Sequence, residues 1–246
     1  MLKNYFKIAW RNLRTNKVSS FINIGGLAVG MTVAMLIGLW IYDELSYDKY
    51  HKNYDRIARV MQHVTSNGTV YSGNAMPFPI ANELQTSFES DFKYVVMTSW
   101  EGEHILTYGD KKISKNGIYM DKDGPKMLTL KMVKGTLDGL SDMNSVLLST
   151  STAKAIFGDE EPVGKLIKID NKQNVKVAGV YADLPFATTF RNLTFIAPWD
   201  LYVSSEEWVK NAKETKQWDN NSFQVFAQIA DNANFSTVNK KIINAK

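Results

Sequence analysis

The sequence predicts an α+β protein in three parts: an amphipathic membrane-surface helix over residues 1–20, one transmembrane helix over 21–42, and a mixed α+β extracytoplasmic domain over 43–246. Three observations carry this reading. No charged residue occurs between Lys17 and Asp43. Residues 1–20 hold five basic residues and no acid, whereas all 25 acids lie from Asp43 onward beside the other 24 basic residues. Beyond Asp43, alternating strand-like runs joined by tight turns are interleaved with short helical runs, the pattern of α+β rather than doubly wound folds.

Residues 2–14, LKNYFKIAWRNLR, read as an amphipathic helix. Leu2, Phe6, Ala9, Trp10 and Leu13 recur at three- to four-residue spacing, with Lys3, Lys7, Arg11 and Arg14 elsewhere on the wheel. Such a helix can lie in the head-group layer with its basic residues near anionic lipid. The net charge of +4 therefore belongs to the N-terminal tail, which disfavours a nucleic-acid partner and favours a membrane surface.

Phe21–Tyr42 is 22 residues of almost wholly apolar sequence. At about 1.5 Å per residue it spans roughly 33 Å, enough for a hydrocarbon core of about 30 Å. Trp40 and Tyr42 fit an interfacial belt. A cleaved signal peptide would have a shorter apolar core and a small-x-small site, and LWIYDELSYD contains none. Positive charges before the helix and the acids Asp43 and Glu44 after it place the N-terminus in the cytoplasm. Within the helix, Gly26, Gly30, Ala34 and Gly38 repeat every fourth residue, opposite Leu27, Met31, Met35 and Leu39. Small residues in register permit close backbone approach in lipid, so this stripe is the expected helix-packing face.

In the outer domain the helix is expected to run on through DELSYDKYHKNYDRIAR to a strand near Val60–Val64. MPFPIANELQTSF then gives a helix and FKYVVMTSW a strand, and HILTYGDKKISKNGIYMD gives a hairpin turning at Gly109–Asp110. SVLL is a strand, and STSTAKAIFG a short helix with a hydroxyl cap and a glycine stop. KLIKIDNKQNVKVAGVYADLP is a second hairpin turning at Asp170–Gln173. LTFIAPW and SFQVFAQIA are strands, and STVNKKIINAK begins a final helix.

Residues for catalysis are not found. With no cysteine there is no thiol nucleophile, disulfide or cysteine zinc site, although this does not fix the compartment. His51, His63 and His104 lack metal-ligand spacing and are expected on surfaces. GDEEPVGK has five residues between its glycines and Leu166 where a phosphate loop needs Ser or Thr. The acids Asp159–Glu161 read as a solvated loop, and no G-x-S-x-G motif occurs. No catalytic, cofactor or metal residue is assigned, and the chain is not read as an enzyme.

SVLLSTSTAKAIFGDEEPVGKLIKIDNKQNVKVAGVYADLP, residues 145–185, resembles the periplasmic core domain of MacB/FtsX-type ABC transporter permeases. The resemblance lies in a strand, a short helix ending in F-G, an acid-rich turn with P-V-G-K, and a hairpin ending in V-A-G-V before D-L-P. KIAWRNLRTNKVSSFINIGGLAVG resembles the family's entry helices, and DELSYDKYHKNYDRIARV the continuation in permeases of the Bacteroidetes group. The resemblance implies a MacB periplasmic core-like outer domain in the bacterial inner membrane, moved by a separate ABC ATPase subunit. Phe6, Trp10, Arg11 and Arg14 are then expected on the membrane-surface helix near that ATPase. Further partners implied are the remaining permease helices, a second permease copy, the lipid bilayer and a periplasmic or outer-membrane protein. Family permeases continue into further transmembrane helices, so the chain is expected to be the N-terminal part of a longer protein. The competing reading is a single-anchor extracytoplasmic sensor or ligand-binding module.

Overall fold

The computed structural model describes residues 2–245, in two compact units that divide between Tyr47 and Asp48. The first unit contains two helices, α1 (Leu2–Thr15) and α2 (Lys17–Ser46). Phe6, Trp10 and Leu13 are exposed and share one face of α1, while Arg11 and Arg14 lie roughly 100° around the helix from that face. The 30 residues of α2 measure about 45 Å, and it is long and apolar enough to cross a membrane. Near its middle the Thr32 hydroxyl donates to the Ala28 carbonyl at 2.8 Å, so that hydroxyl is satisfied within the helix.

The helix does not run on to Arg59 as its sequence pattern suggests. It stops at Ser46; Tyr47 is extended and Asp48 adopts φ 58°. Nothing local forces this stop. It is set by long-range hydrogen bonds to Asp48, described below.

The second unit is built on a mixed sheet. Its elements run β1 (Ile57–Arg59), β2 (Gln62–Ser66), β3 (Thr69–Gly73), β4 (Met76–Pro77), α3 (Ile80–Ser87), β5 (Phe92–Thr98), β6 (Gly102–Tyr108), β7 (Lys111–Met120) and α4 (Gly124–Met127). There follow β8 (Met132–Lys134), β9 (Ser145–Ser149), α5 (Thr150–Phe157), β10 (Leu166–Ile169), β11 (Gln173–Tyr181), β12 (Phe195–Pro198), α6 (Trp199–Ser205), α7 (Glu207–Thr215), β13 (Asn221–Ile229) and α8 (Phe235–Ile242). Lys246, the end of the expected final helix, lies outside the described residues.

Strand pairing closes on itself. β7 pairs β12 on one edge and β6 on the other, and β12, β9, β11, β10 and β6 pair in turn. Six strands thus form a ring without a free edge between them. From the far end of β7, through Thr98↔Met120, the sheet continues into β5, β13 and β1. The core lies on both faces. Leu106, Val146, Ile169, Val177 and Phe195 form one cluster, and Met120, Leu147, Tyr181, Ile196 and Phe226 another.

The hairpins expected at Gly109–Asp110 and Asp170–Gln173 are present, the second turning through positive φ at Asp170 and Asn171. Ser149 caps α5 by accepting from the Thr152 N–H, and Gly158 ends it at φ 64°. The glycine of V-A-G-V has a packing reason: a Cβ on Gly179 would lie 2.8 Å from the Lys134 carbonyl oxygen. β8 pairs antiparallel with β11 here, Lys134 opposite Val180, and brings the Lys134 carbonyl to backbone contact distance. The strand expected near Val60–Val64 is in fact two, β1 and β2, and β2 pairs only with β3 through an Asn67–Gly68 turn.

Candidate functional site

Asp48 opens the second unit, two residues after α2 ends. Aspartate tolerates the left-handed region because its short side chain bonds locally, and here the carboxylate is held firmly. Oδ1 accepts the Thr188 hydroxyl at 2.6 Å and the Thr189 N–H at 2.7 Å; Oδ2 accepts the Thr189 hydroxyl at 2.7 Å. The Asp48 N–H donates to the Ala187 carbonyl at 2.9 Å. Burial alone would raise the Asp48 pKa, but these bonds outweigh it and hold the carboxyl below its usual value.

His51 extends the network inward. It is 2% exposed, not on the surface as its isolated position in the sequence suggests. Nδ1 lies 2.5 Å from the Leu128 carbonyl and Nε2 3.1 Å from the Thr188 hydroxyl, with Tyr50 and Phe190 packed edge-on against the ring. The Thr188 hydroxyl has one proton, and the shorter contact assigns it to Asp48. Burial pushes the His51 pKa down, against the opposing pull of the Leu128 carbonyl and the Asp48 charge. The Lys52 N–H donates to Thr129 Oγ1 at 3.0 Å. Residues 48–52 are thus latched to two distant loops, 187–190 and 128–129.

Beside the latch is a half-open cavity of about 270 Å³, lined by Asp48, Ile57, Arg59, Leu128, Phe190 and Phe226 among others. Arg59 lies over the Phe226 ring at 5.1 Å. No three His, Asp or Glu side chains converge on a metal position among the described residues.

The residues singled out in the sequence fall elsewhere. Phe6, Trp10, Arg11 and Arg14 are exposed on α1. Gly26, Gly30, Ala34 and Gly38 wind along α2 through an arc of roughly 120°, and a Cβ on any of the three glycines meets nothing within 4 Å. The acidic loop is exposed, as expected, with Glu160 paired to Lys165 and Glu161 to Lys134. The partners of Asp48 and His51 were not legible, because Thr188 and Leu128 are far away in sequence and lie in loops without a motif.

Three comparisons bear on these observations. The family model for the MacB-like periplasmic core domain matches residues 20–245. A macrolide export ATP-binding/permease protein MacB from Aggregatibacter actinomycetemcomitans is 24% identical over 197 residues, covering 74% of this chain and 29% of that protein. The chain thus spans under a third of the length of that relative. Among solved structures, a domain of a Porphyromonas gingivalis protein described as a permease aligns with TM-score 0.62 at 17% identity, covering 79% of this chain and 81% of that one. The periplasmic region of MacB from Actinobacillus actinomycetemcomitans aligns with TM-score 0.55 at 20% identity, covering 76% and 80%. These two show a shared fold. With the match extending from within α2 to the end of the outer unit, the chain belongs to the MacB-like periplasmic core domain family, with homologues among ABC transporter permeases.

Proposed function

We propose that the chain is the N-terminal part of a MacB/FtsX-type permease subunit, in which ATP hydrolysis by a separate ATPase subunit moves the outer unit. One observation carries the coupling: the chain leaving α2 is fixed at once, through Asp48 and His51, to loops 187–190 and 128–129. A displacement of the helix end along the chain is then passed to the sheet rather than absorbed by a slack linker.

The N-terminus is assigned to the cytoplasm. Lys17 at the start of α2 and Asp43 and Glu44 at its end oppose the helix macrodipole, so these charges serve orientation rather than helix stability. The basic side of α1, with Phe6 and Trp10 against the bilayer, faces the ATPase. The stripe of Gly26, Gly30, Ala34 and Gly38 packs on a further permease helix or a second copy, and the outer unit meets a periplasmic or outer-membrane partner.

Co-expression with a MacB/FtsX-type ABC ATPase subunit from the same organism tests this reading. The wild-type chain should co-purify with the ATPase, and Arg11→Glu with Arg14→Glu should cut recovery at least five-fold. Recovery unchanged by the double reversal would overturn the assignment of α1.

A further inference from the structure

The cavity beside the latch carries two opposite charges that do not pair with each other. Arg59 is half-buried on the Phe226 ring and, among the described residues, has no carboxylate within ion-pair distance. Asp48 is ionised, and its three hydrogen bonds leave one of about four acceptor positions open. Ile57, Met61, Leu128, Phe190 and Phe226 make the rest of the wall largely apolar. A purely anionic ligand would meet Asp48, and a purely cationic one would meet Arg59.

We propose that this cavity binds the zwitterionic head group of a phosphoethanolamine lipid. The guanidinium takes the phosphate through its fork of N–H donors, and Asp48 accepts from the ammonium. The volume, about 270 Å³, lies at the low end of small-molecule sites, so it suits a head group whose acyl chains remain outside. The lipid source follows from chain continuity. Asp48 stands six residues beyond Tyr42, the end of the apolar span, and four helical residues plus two Cα steps put it at most about 14 Å from that end. The proposal rests on α2 lying in a bilayer and is independent of the coupling role of the latch.

The test uses the full chain in dodecyl maltoside, titrated with dihexanoyl-phosphatidylethanolamine, dihexanoyl-phosphatidylglycerol and glycerophosphoethanolamine, with bound molecules counted by native mass spectrometry. The ethanolamine lipid should bind at least ten-fold more tightly than the other two. Arg59→Met should lower its affinity at least ten-fold, and Arg59→Lys, which keeps charge but loses the fork, by an intermediate factor. Lys111→Met, on the exposed start of β7, should change nothing. Equal binding of the glycerol lipid, or binding indifferent to both Arg59 variants, overturns the zwitterion assignment. Equally tight binding of the chain-free head group assigns the site to a soluble zwitterion and overturns the lipid. Loss of ATPase coupling with lipid binding intact would fault the coupling reading alone.

Discussion

Asp48 and Thr188 stand 140 positions apart in sequence and are joined by a 2.6 Å hydrogen bond. Thr188 is fully buried and its one proton goes to Asp48, with His51 Nε2 3.1 Å from the same oxygen. Thr188→Val keeps the shape and removes the hydroxyl, leaving the Asp48 carboxylate short of a donor. The expected loss is about 1–3 kcal/mol, read as a lower melting temperature of the chain in detergent. Thr188→Ser should retain most of the stability. A wild-type melting temperature in the valine variant would remove the latch as a stabilising element.

The same pair of titrating groups sets a pH dependence. His51 has its pKa lowered by burial, so the unfolded chain binds a proton that the folded one resists. Stability should therefore fall as pH drops below about 6.5, the ordinary histidine value. Asp48 has its pKa lowered by its hydrogen bonds, so its contribution is present above the unfolded carboxylate value and is lost as pH falls below it. The melting temperature should decline from neutral pH toward pH 5 and decline further below pH 4. His51→Gln should flatten the upper limb only. A wild-type upper limb in that variant would place the titration elsewhere.

What was legible in the sequence was what local chemistry decides. Ser149 and Gly158 bound α5 by capping, and Asp170–Asn171 turn β10 into β11 through their tolerance of positive φ. Asn67–Gly68 offered the same kind of signal for β2 and β3, but the short polar runs beside it hid the strands. The ring was not legible beyond its two hairpins, because β7 pairs with β12, β12 with β9 and β10 with β6 across separations that no local pattern records. The end of α2 escapes the local pattern for a related reason. DELSYDKYH contains neither proline nor glycine, and the turn at Asp48 just after the stop at Ser46 is held by Thr188 and Thr189. The cavity shared that fate, since Arg59 and Phe226 meet only through the β1–β13 pairing.

Orientation is open to a clean labelling experiment because the chain has no cysteine. Single substitutions Lys7→Cys in α1 and Asn67→Cys in the β2–β3 turn introduce one thiol each at exposed positions. In intact spheroplasts a membrane-impermeant maleimide should label Asn67→Cys strongly and Lys7→Cys only after lysis. The reverse pattern would invert the assigned topology.

Gly179 tests the pairing of β8 with β11. Its missing Cβ leaves room for the Lys134 carbonyl, and the side chains of Met132 and Leu147 close the remaining space. Backbone cannot yield as a flexible side chain can, so Gly179→Ala should destabilise the outer unit by about 1–3 kcal/mol through overpacking. Gly158→Ala strains the α5 stop instead, since Gly158 has φ 64° with open space around it. Chemical denaturation should show a lower midpoint for Gly179→Ala with an unchanged slope.

The stripe on α2 makes a different demand on glycine. In water each glycine weakens a helix by about 1 kcal/mol relative to alanine, a cost with no folding benefit when nothing lies within 4 Å of Gly26, Gly30 or Gly38. A close-packed neighbour in lipid supplies a benefit, because small residues let two backbones approach. Gly30→Leu fills the centre of the stripe, whereas Leu39→Ala, roughly 180° around the helix from Gly30, changes the opposite face by a similar volume. Energy transfer between labelled chains in liposomes should fall several-fold for Gly30→Leu and stay near wild type for Leu39→Ala. Equal losses in both would reduce the effect to general helix hydrophobicity. No loss in Gly30→Leu would return the glycines to ordinary membrane-helix composition.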